Sequence, residues 1–283
     1  MNEKMTFNPV RDFFAFLRRP NAERVVASLG QKLLILAALV AVDILFGFVA
    51  NLLSTAVESL IPLTESEHVM VEEPELLRFM QTAGILIIPL LEELGFRLWL
   101  APNVLFLFIS FFLVTIQFAP LPFADLLVAA NLTNAAPLVK IAFYGLIGAG
   151  IALFFWVRER RGHPYADFFR RYVGVYYYFS SLLFGFIHLT NYTSLGAWWY
   201  APILILPQII GGFVFGYVRI RLGFWYAVLA HIAANLLFTF GDFMNGWFGT
   251  AGGVVWLAVL ILSSLALIVL ISRRRLISIQ IAP

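Results

Sequence analysis

Eight apolar runs follow one another along the chain, at about 33–53, 76–100, 104–119, 138–157, 175–192, 198–218, 222–240 and 254–271. The hydrocarbon core of a bilayer is about 30 Å thick and takes about 20 helical residues to cross, and every backbone N–H and C=O inside it must find a partner within the protein. The repetition therefore commits the chain to an all-α membrane protein, a bundle of eight transmembrane helices. Composition agrees: 61% of the 283 residues are apolar and 12% are charged, against about 25% charged in a soluble domain. With no Cys present, disulfides, thiol nucleophiles and thiolate metal sites are excluded. No nucleic-acid partner is expected. The expected partners are the lipid bilayer and a membrane-associated peptide or protein.

The charges that remain are unevenly placed. Arg11, Arg18, Arg19, Arg24 and Lys32 precede the first run, Arg158, Arg160, Arg161, Arg170 and Arg171 lie between the fourth and fifth, and Arg273, Arg274 and Arg275 follow the eighth. Segment 54–75 is acidic and holds neither Lys nor Arg. Basic loops stay in the cytoplasm, so with eight spans both termini are expected there. The resulting division is a basic, partly helical interfacial segment at 1–32, a membrane domain at 33–271 and a basic cytoplasmic tail at 272–283. The first run is too long for the apolar part of a cleavable signal peptide and is expected to act as an uncleaved anchor. Segment 120–137, with three Pro, is expected as a loop or short re-entrant helix, and 241–253 as a Gly-rich turn. Gly212 and Gly216, four apart, predict close helix packing.

The second run carries Glu92, Glu93 and Arg97. A charge in mid-bilayer costs about 2.5–3.5 kcal/mol, and such residues usually mark function. Glu93 and Arg97 share one helix face with the acid N-terminal to the base, the better order for a pair. Glu92 is rotated from Glu93 by about 100° and is left as a carboxylate free to act as a general base. Pro89 removes one backbone hydrogen bond just before it and favours a kink. The fifth run carries His188 and the seventh His231 and Asn235. At ~1.5 Å per residue, Glu92 and His231 lie ~12 and ~14 Å from the cytoplasmic ends of their spans, and His188 and Asn235 ~20 Å. The four meet in the cytoplasmic half or middle of the bilayer, which predicts one polar cavity open toward the cytoplasm.

No Ser-His-Asp set lies on these spans, and His-Glu-x-x-His is absent. Water activation remains: Glu92 takes a proton from a water that His188 holds, and His231 and Asn235 donate to a carbonyl oxygen as it becomes an oxyanion. Zinc held by Glu92, His188 and His231 is chemically possible. The neighbouring residues are mostly Phe, Leu, Ile and Ala, which offer little to orient the imidazoles of a metal site, so a site without metal or cofactor is favoured. Two readings from other classes stand beside the peptidase. One is a membrane immunity or scaffold protein without catalysis. The other is a proton-coupled transporter using Asp43 in its relay, although no pair of related halves is visible.

In order along the membrane helices, Glu92-Glu93-x-x-x-Arg97, Phe184-x-x-x-His188 and His231-x-x-x-Asn235 resemble the CPBP family, also called the Abi family or type II CAAX prenyl endopeptidases. The resemblance covers about residues 76–240 and implies an eight-helix intramembrane endopeptidase of glutamate type. It implies that Glu92 and His188 activate the water, that His231 and Asn235 stabilise the oxyanion, and that Glu93, Arg97 and Phe184 support the site. Eukaryotic relatives trim prenylated CAAX tails; bacterial relatives are associated with bacteriocin immunity, peptide maturation and signalling. Two features depart from the family pattern. Leu98 stands where Gly commonly follows the arginine, and 96 residues separate Glu92 from His188. The long separation makes about 104–157 an inserted helix pair, an even number that preserves the direction of the fifth span.

Overall fold

The computed structural model describes residues 5–60, 74–192, 198–274 and 277–282; most of the acidic segment 54–75 lies outside them. Ten α-helices follow in order: α1 (Pro9–Arg18), α2 (Leu29–Leu60), α3 (Pro74–Phe96), α4 (Val104–Phe118), α5 (Ala124–Ala129), α6 (Ala136–Arg160), α7 (Tyr165–Ile187), α8 (Ala201–Leu204), α9 (Leu206–Arg221) and α10 (Phe224–Arg274). Among the described residues, four helical stretches are long and apolar enough to cross a membrane: Leu29–Val57, Thr133–Arg160, Tyr165–Asn191 and Phe224–Arg273. The pair α8 and α9, bent by 44°, makes a fifth, and α4 is a shorter apolar helix. The chain is a predominantly helical, multi-pass membrane protein.

Two expected loops are mostly helix. Tyr165 already opens α7, so Arg170 and Arg171 of the expected basic loop sit on its first turns. The Gly-rich segment 241–253 is helical throughout, apart from Gly249 at φ 64°, ψ −168°, a conformation that belongs essentially to Gly. There α10 doubles back. Trp256 Nε1 on the second arm donates to Leu237 O on the first at 2.9 Å, and Gly252 lies against the backbone of Met244, where a Cβ would clash. Concentrating the reversal in one residue keeps the flanking backbone hydrogen-bonded inside the helices, as an apolar solvent demands.

The core forms where α9 packs between α2, α7 and α10. The close packing predicted from Gly212 and Gly216 occurs within the chain, against α7. A Cβ on Gly212 would fall 2.6 Å from Ser181 O, and one on Gly216 would fall 3.0 Å from the Tyr177 ring. Beside this core α4 packs on α3 and α6.

A small sheet was not expected. Strand β1 (Met5–Thr6) and strand β2 (Arg24–Val26) flank β3 (Ser278–Ala282), both antiparallel, with Met5 opposite Ile279 and Val25 opposite Ile281. Its sequence signal is the alternation Ile277, Ile279, Ile281, of which the first two are buried. The N-terminal segment and the tail, read as separate surface pieces, are thus tied together at one end of the bundle. Helix α1 is capped by Asn8, whose Oδ1 accepts from the Val10 and Arg11 amides. It packs inward rather than lying loose: Phe13 and Phe16 are buried edge-on against Tyr217. Arg221 Nε donates to Asp12 Oδ2 at 3.1 Å.

Candidate active site

Glu92 and Glu93 lie in the last turns of α3, where the helix closes on a widened turn. The amides of Arg97 and Leu98 both donate to Glu93 O, at 2.9 and 3.0 Å. Such i to i+5 closures are rare and often found at functional sites. The carbonyls that this ending leaves over must be satisfied, and three other helices do so. Arg219 of α9 donates to Arg97 O at 2.9 Å and to Leu98 O at 3.2 Å. Ser110 of α4 donates to Leu94 O at 2.9 Å, and Ser180 of α7 donates to Phe96 O. The C-terminal end of α3 is clamped from α4, α7 and α9.

His188 caps the end of α7, and its Nδ1 lies 2.7 Å from Phe184 O. A carbonyl can only accept, so this nitrogen carries the proton and Nε2 presents a lone pair when the ring is neutral. That Nε2 is 3.8 Å from Glu92 Oε1. His231, on the first arm of α10, has Nδ1 3.1 Å from Glu93 Oε1 and Nε2 3.5 Å from Glu92 Oε2. Two imidazoles therefore address the two oxygens of one carboxylate. Phe184 is the wedge between them, its ring 4.7 Å from that of His188 and 5.7 Å from that of His231. The Arg97 guanidinium sits 4.0 Å over the same ring.

Glu93 and Arg97 are both fully buried, but their expected pairing is the weaker contact. Arg97 Nε is 3.7 Å from Glu93 Oε1, farther than His231 Nδ1 from the same oxygen, and the guanidinium makes no hydrogen bond among the described residues. Helix periodicity finds which side chains share a face; it cannot find which neighbouring element packs against that face. Asn235 is placed beside the site, with Nδ2 donating to Gly84 O at 3.2 Å. Its amide carries a second N–H that this bond leaves over.

The shared cavity exists, about 600 Å³ in volume, and Glu92, His188, His231 and Asn235 all line it. It extends from Glu92 toward the C-terminal ends of α4 and α7 and the N-terminal end of α9, where Gln117, Asn191 and Pro207 line it. The sheet and α1 lie at the opposite end of these helices. The two orientations expected from the sequence, termini in the cytoplasm and a cavity open toward it, therefore do not coincide. Depth along a helix locates the reacting atoms but not the direction in which space opens around them. On the terminal side that space is filled by Arg97, Trp99 and Leu100, all buried.

A family model, type II CAAX prenyl endopeptidase Rce1-like, matches residues 74–237, more than half of the chain. The chain belongs to this family. No curated protein and no solved structure matches it. The match runs from α3 into the first arm of α10 and includes all three motifs. As an Rce1-like protein the chain is, by family, a CAAX-type intramembrane protease.

Zinc was the alternative occupant for this Rce1-like site. One argument against it, that the sequence offers little to orient the imidazoles, does not hold, because Phe184 O and Glu93 hold the two Nδ1 atoms. Among the described residues no group of three His, Asp or Glu side chains is arranged to hold a metal ion. Several residues of the Rce1-like site escaped the sequence reading. Phe215 of α9 stacks on His231 at 4.6 Å with 21° between the ring planes. Ser110, Ser180 and Arg219 hold the end of α3. Serines in apolar runs were a usable signal, whereas Phe215 is one of 29 Phe and carries none.

Proposed function

We propose that the chain hydrolyses a peptide bond of a membrane-associated protein or peptide with a water held between Glu92 and His188. Glu92 removes a proton from the water while the His188 Nε2 lone pair accepts the water's second hydrogen bond. The new hydroxide bonds to the peptide carbonyl carbon, whose oxygen becomes an oxyanion. The carbon–nitrogen bond then breaks, and the proton on Glu92 passes to the leaving amine. His231 Nε2 and the remaining N–H of Asn235 donate to the oxyanion, each worth about 3–4 kcal/mol in the transition state. Glu93 Oε1, 3.1 Å from His231 Nδ1, orients the ring so that Nε2 faces the oxyanion. No step passes through a metal. The observation that carries the reading is the approach of both Nε2 atoms to the Glu92 carboxylate, at 3.8 and 3.5 Å.

The test is Glu92→Gln, which keeps the shape of the side chain and removes the base. Membrane proteomes of cells carrying the wild type and the variant are compared, together with thermal unfolding of the two purified proteins. The variant is expected to unfold at the wild-type temperature and to leave one or more membrane proteins uncleaved. Identical proteomes would remove the peptidase reading and leave a scaffold of the same fold. For the metal question, the purified protein is expected to contain no stoichiometric zinc and to keep its activity in a strong chelator. One zinc per chain, with activity lost on chelation and restored by zinc, would make Glu92 a ligand instead.

The fold is read as eight spans with both termini in the cytoplasm, on the distribution of Arg and Lys. In that orientation the cavity extends from Glu92 toward the outer leaflet.

A further inference from the structure

Asp43 on α2 belongs to none of the three motifs, yet its side chain lines the same cavity as Glu92, His188 and His231. Gly47 and Asn51, at the next two positions of the same helix face, also line it. A Cβ on Gly47 would meet nothing within 4 Å, so the face beside Asp43 borders open space. Asp43 is 6% exposed and makes no hydrogen bond or ion pair among the described residues. A carboxylate withdrawn from water is retained at a high cost unless something pairs with it. Neither Lys nor Arg lines the cavity. Across the cavity on α9, Gly211 leaves room, its would-be Cβ standing 3.5 Å from Asp43 Oδ1. On the same helix Gln208 has its amide oxygen buried without a partner. This wall therefore presents the Asp43 carboxylate and the Gln208 amide oxygen, neither of which has a hydrogen-bond partner among the described residues.

We propose that Asp43 and Gln208 form a substrate subsite for a cationic N–H donor, the ammonium or guanidinium of a Lys or Arg near the cleaved bond. The inference rests on the peptidase reading for its substrate but not for its binding chemistry. Asp43 supplies the charge, Gln208 a neutral acceptor, and the open face along Gly47 and Asn51 carries the adjoining peptide backbone. A carboxylate-bearing residue at the same position is repelled, so the subsite discriminates by sign as well as by shape.

The experiment uses the full purified chain in lipid nanodiscs and a set of acylated, internally quenched peptides. The peptides differ only in carrying Lys, Gln or Glu at one position, which is moved stepwise across the cleaved bond. Binding is read by fluorescence anisotropy on the Glu92→Gln protein, and cleavage on the wild type. At one position Lys is expected to bind about tenfold tighter than Gln, the worth of one added charge-assisted contact, and Glu more weakly than either. Asp43→Asn should bring the Lys-to-Gln ratio close to one, while Asp43→Glu, which keeps the charge, should retain part of the preference. Should Asp43→Asn fail to fold, the wild-type peptide series and Asp43→Glu still decide. Equal binding of Lys, Gln and Glu at every position, or a Lys preference that survives Asp43→Asn, overturns the subsite. A Lys preference that depends on Asp43, without cleavage of any peptide, keeps the subsite and removes the hydrolytic reading.

Discussion

Two adjacent glutamates in this chain meet different surroundings, and the roles proposed for them follow from what faces each. Glu92 points into the cavity toward two imidazole Nε2 atoms; Glu93 is sealed behind it, against His231 Nδ1 and near Arg97. Removing the Glu93 charge should therefore leave binding nearly intact and weaken the oxyanion donor. We expect Glu93→Gln to lower kcat on the order of 10²-fold, the usual loss for one oxyanion donor, with KM little changed. A loss confined to KM would return Glu93 to a purely structural role. Arg97→Ala, by contrast, should lower the yield of folded protein. Arg97→Lys should not restore it, because a lysine cannot reproduce the planar contact over Phe184. At this scale much of the site was legible in the sequence. The four-residue spacing in Phe184-x-x-x-His188 is the spacing at which a helical carbonyl meets a side chain one turn on, and the structure makes that contact. The partner of Glu93 was not legible, because His231 lies 138 residues away and helical period carries no information at that range.

Among the elements, the apolar runs marked where helices would form but not how they end or meet. The turn at 241–253 shrank to Gly249, and the tail became a strand whose partners are about 250 residues away. Glycines decide both kinds of detail, and they do so differently. Gly249 needs its positive φ, so Gly249→Ala should cost about 1–3 kcal/mol and lower the unfolding temperature of the solubilised protein. Nothing lies within 4 Å of its would-be Cβ and it lies outside the catalytic cavity, so the folded fraction should still cleave. Gly212 needs closeness instead, since its Cβ would fall 2.6 Å from Ser181 O. Gly212→Leu should cost about 1–3 kcal/mol or more through overpacking. It should also lower the specific activity of the folded fraction, because α7 carries His188 and cannot move from α9 without moving that ring from Glu92. Equal specific activity in both variants would mean that α7 does not set the Glu92–His188 distance.

For the molecule as a whole, the sheet limits the topology in a way that hydropathy does not. With Met5 opposite Ile279, β1 and β3 lie on one side, and the number of crossings between them must be even. Five spans, the count reached when α8 and α9 are joined as one, are odd and cannot satisfy the sheet. The proposed eight spans, in which α10 is divided at Gly249 and α3 and α4 are counted, do satisfy it. On that proposal the arginines place the ends in the cytoplasm. Part of their signal is also structural, since Arg219 and Arg221 are buried and bonded to Arg97 O and Asp12. Under the proposed topology the exposed Arg160, Arg161, Arg170 and Arg171 carry the weight. The absence of native Cys makes sidedness simple to measure with single introduced thiols. Thr190 is exposed at the end of the bundle toward which the cavity extends, and Arg161 is exposed at the end that carries the termini. In intact cells a membrane-impermeant maleimide should label Thr190→Cys and should reach Arg161→Cys only after permeabilisation. The reverse pattern would put the termini outside and the cavity toward the cytoplasm, overturning the rule of basic loops for this chain. Labelling of both before permeabilisation would place α7 in the membrane without crossing it, and the even count of spans would fail.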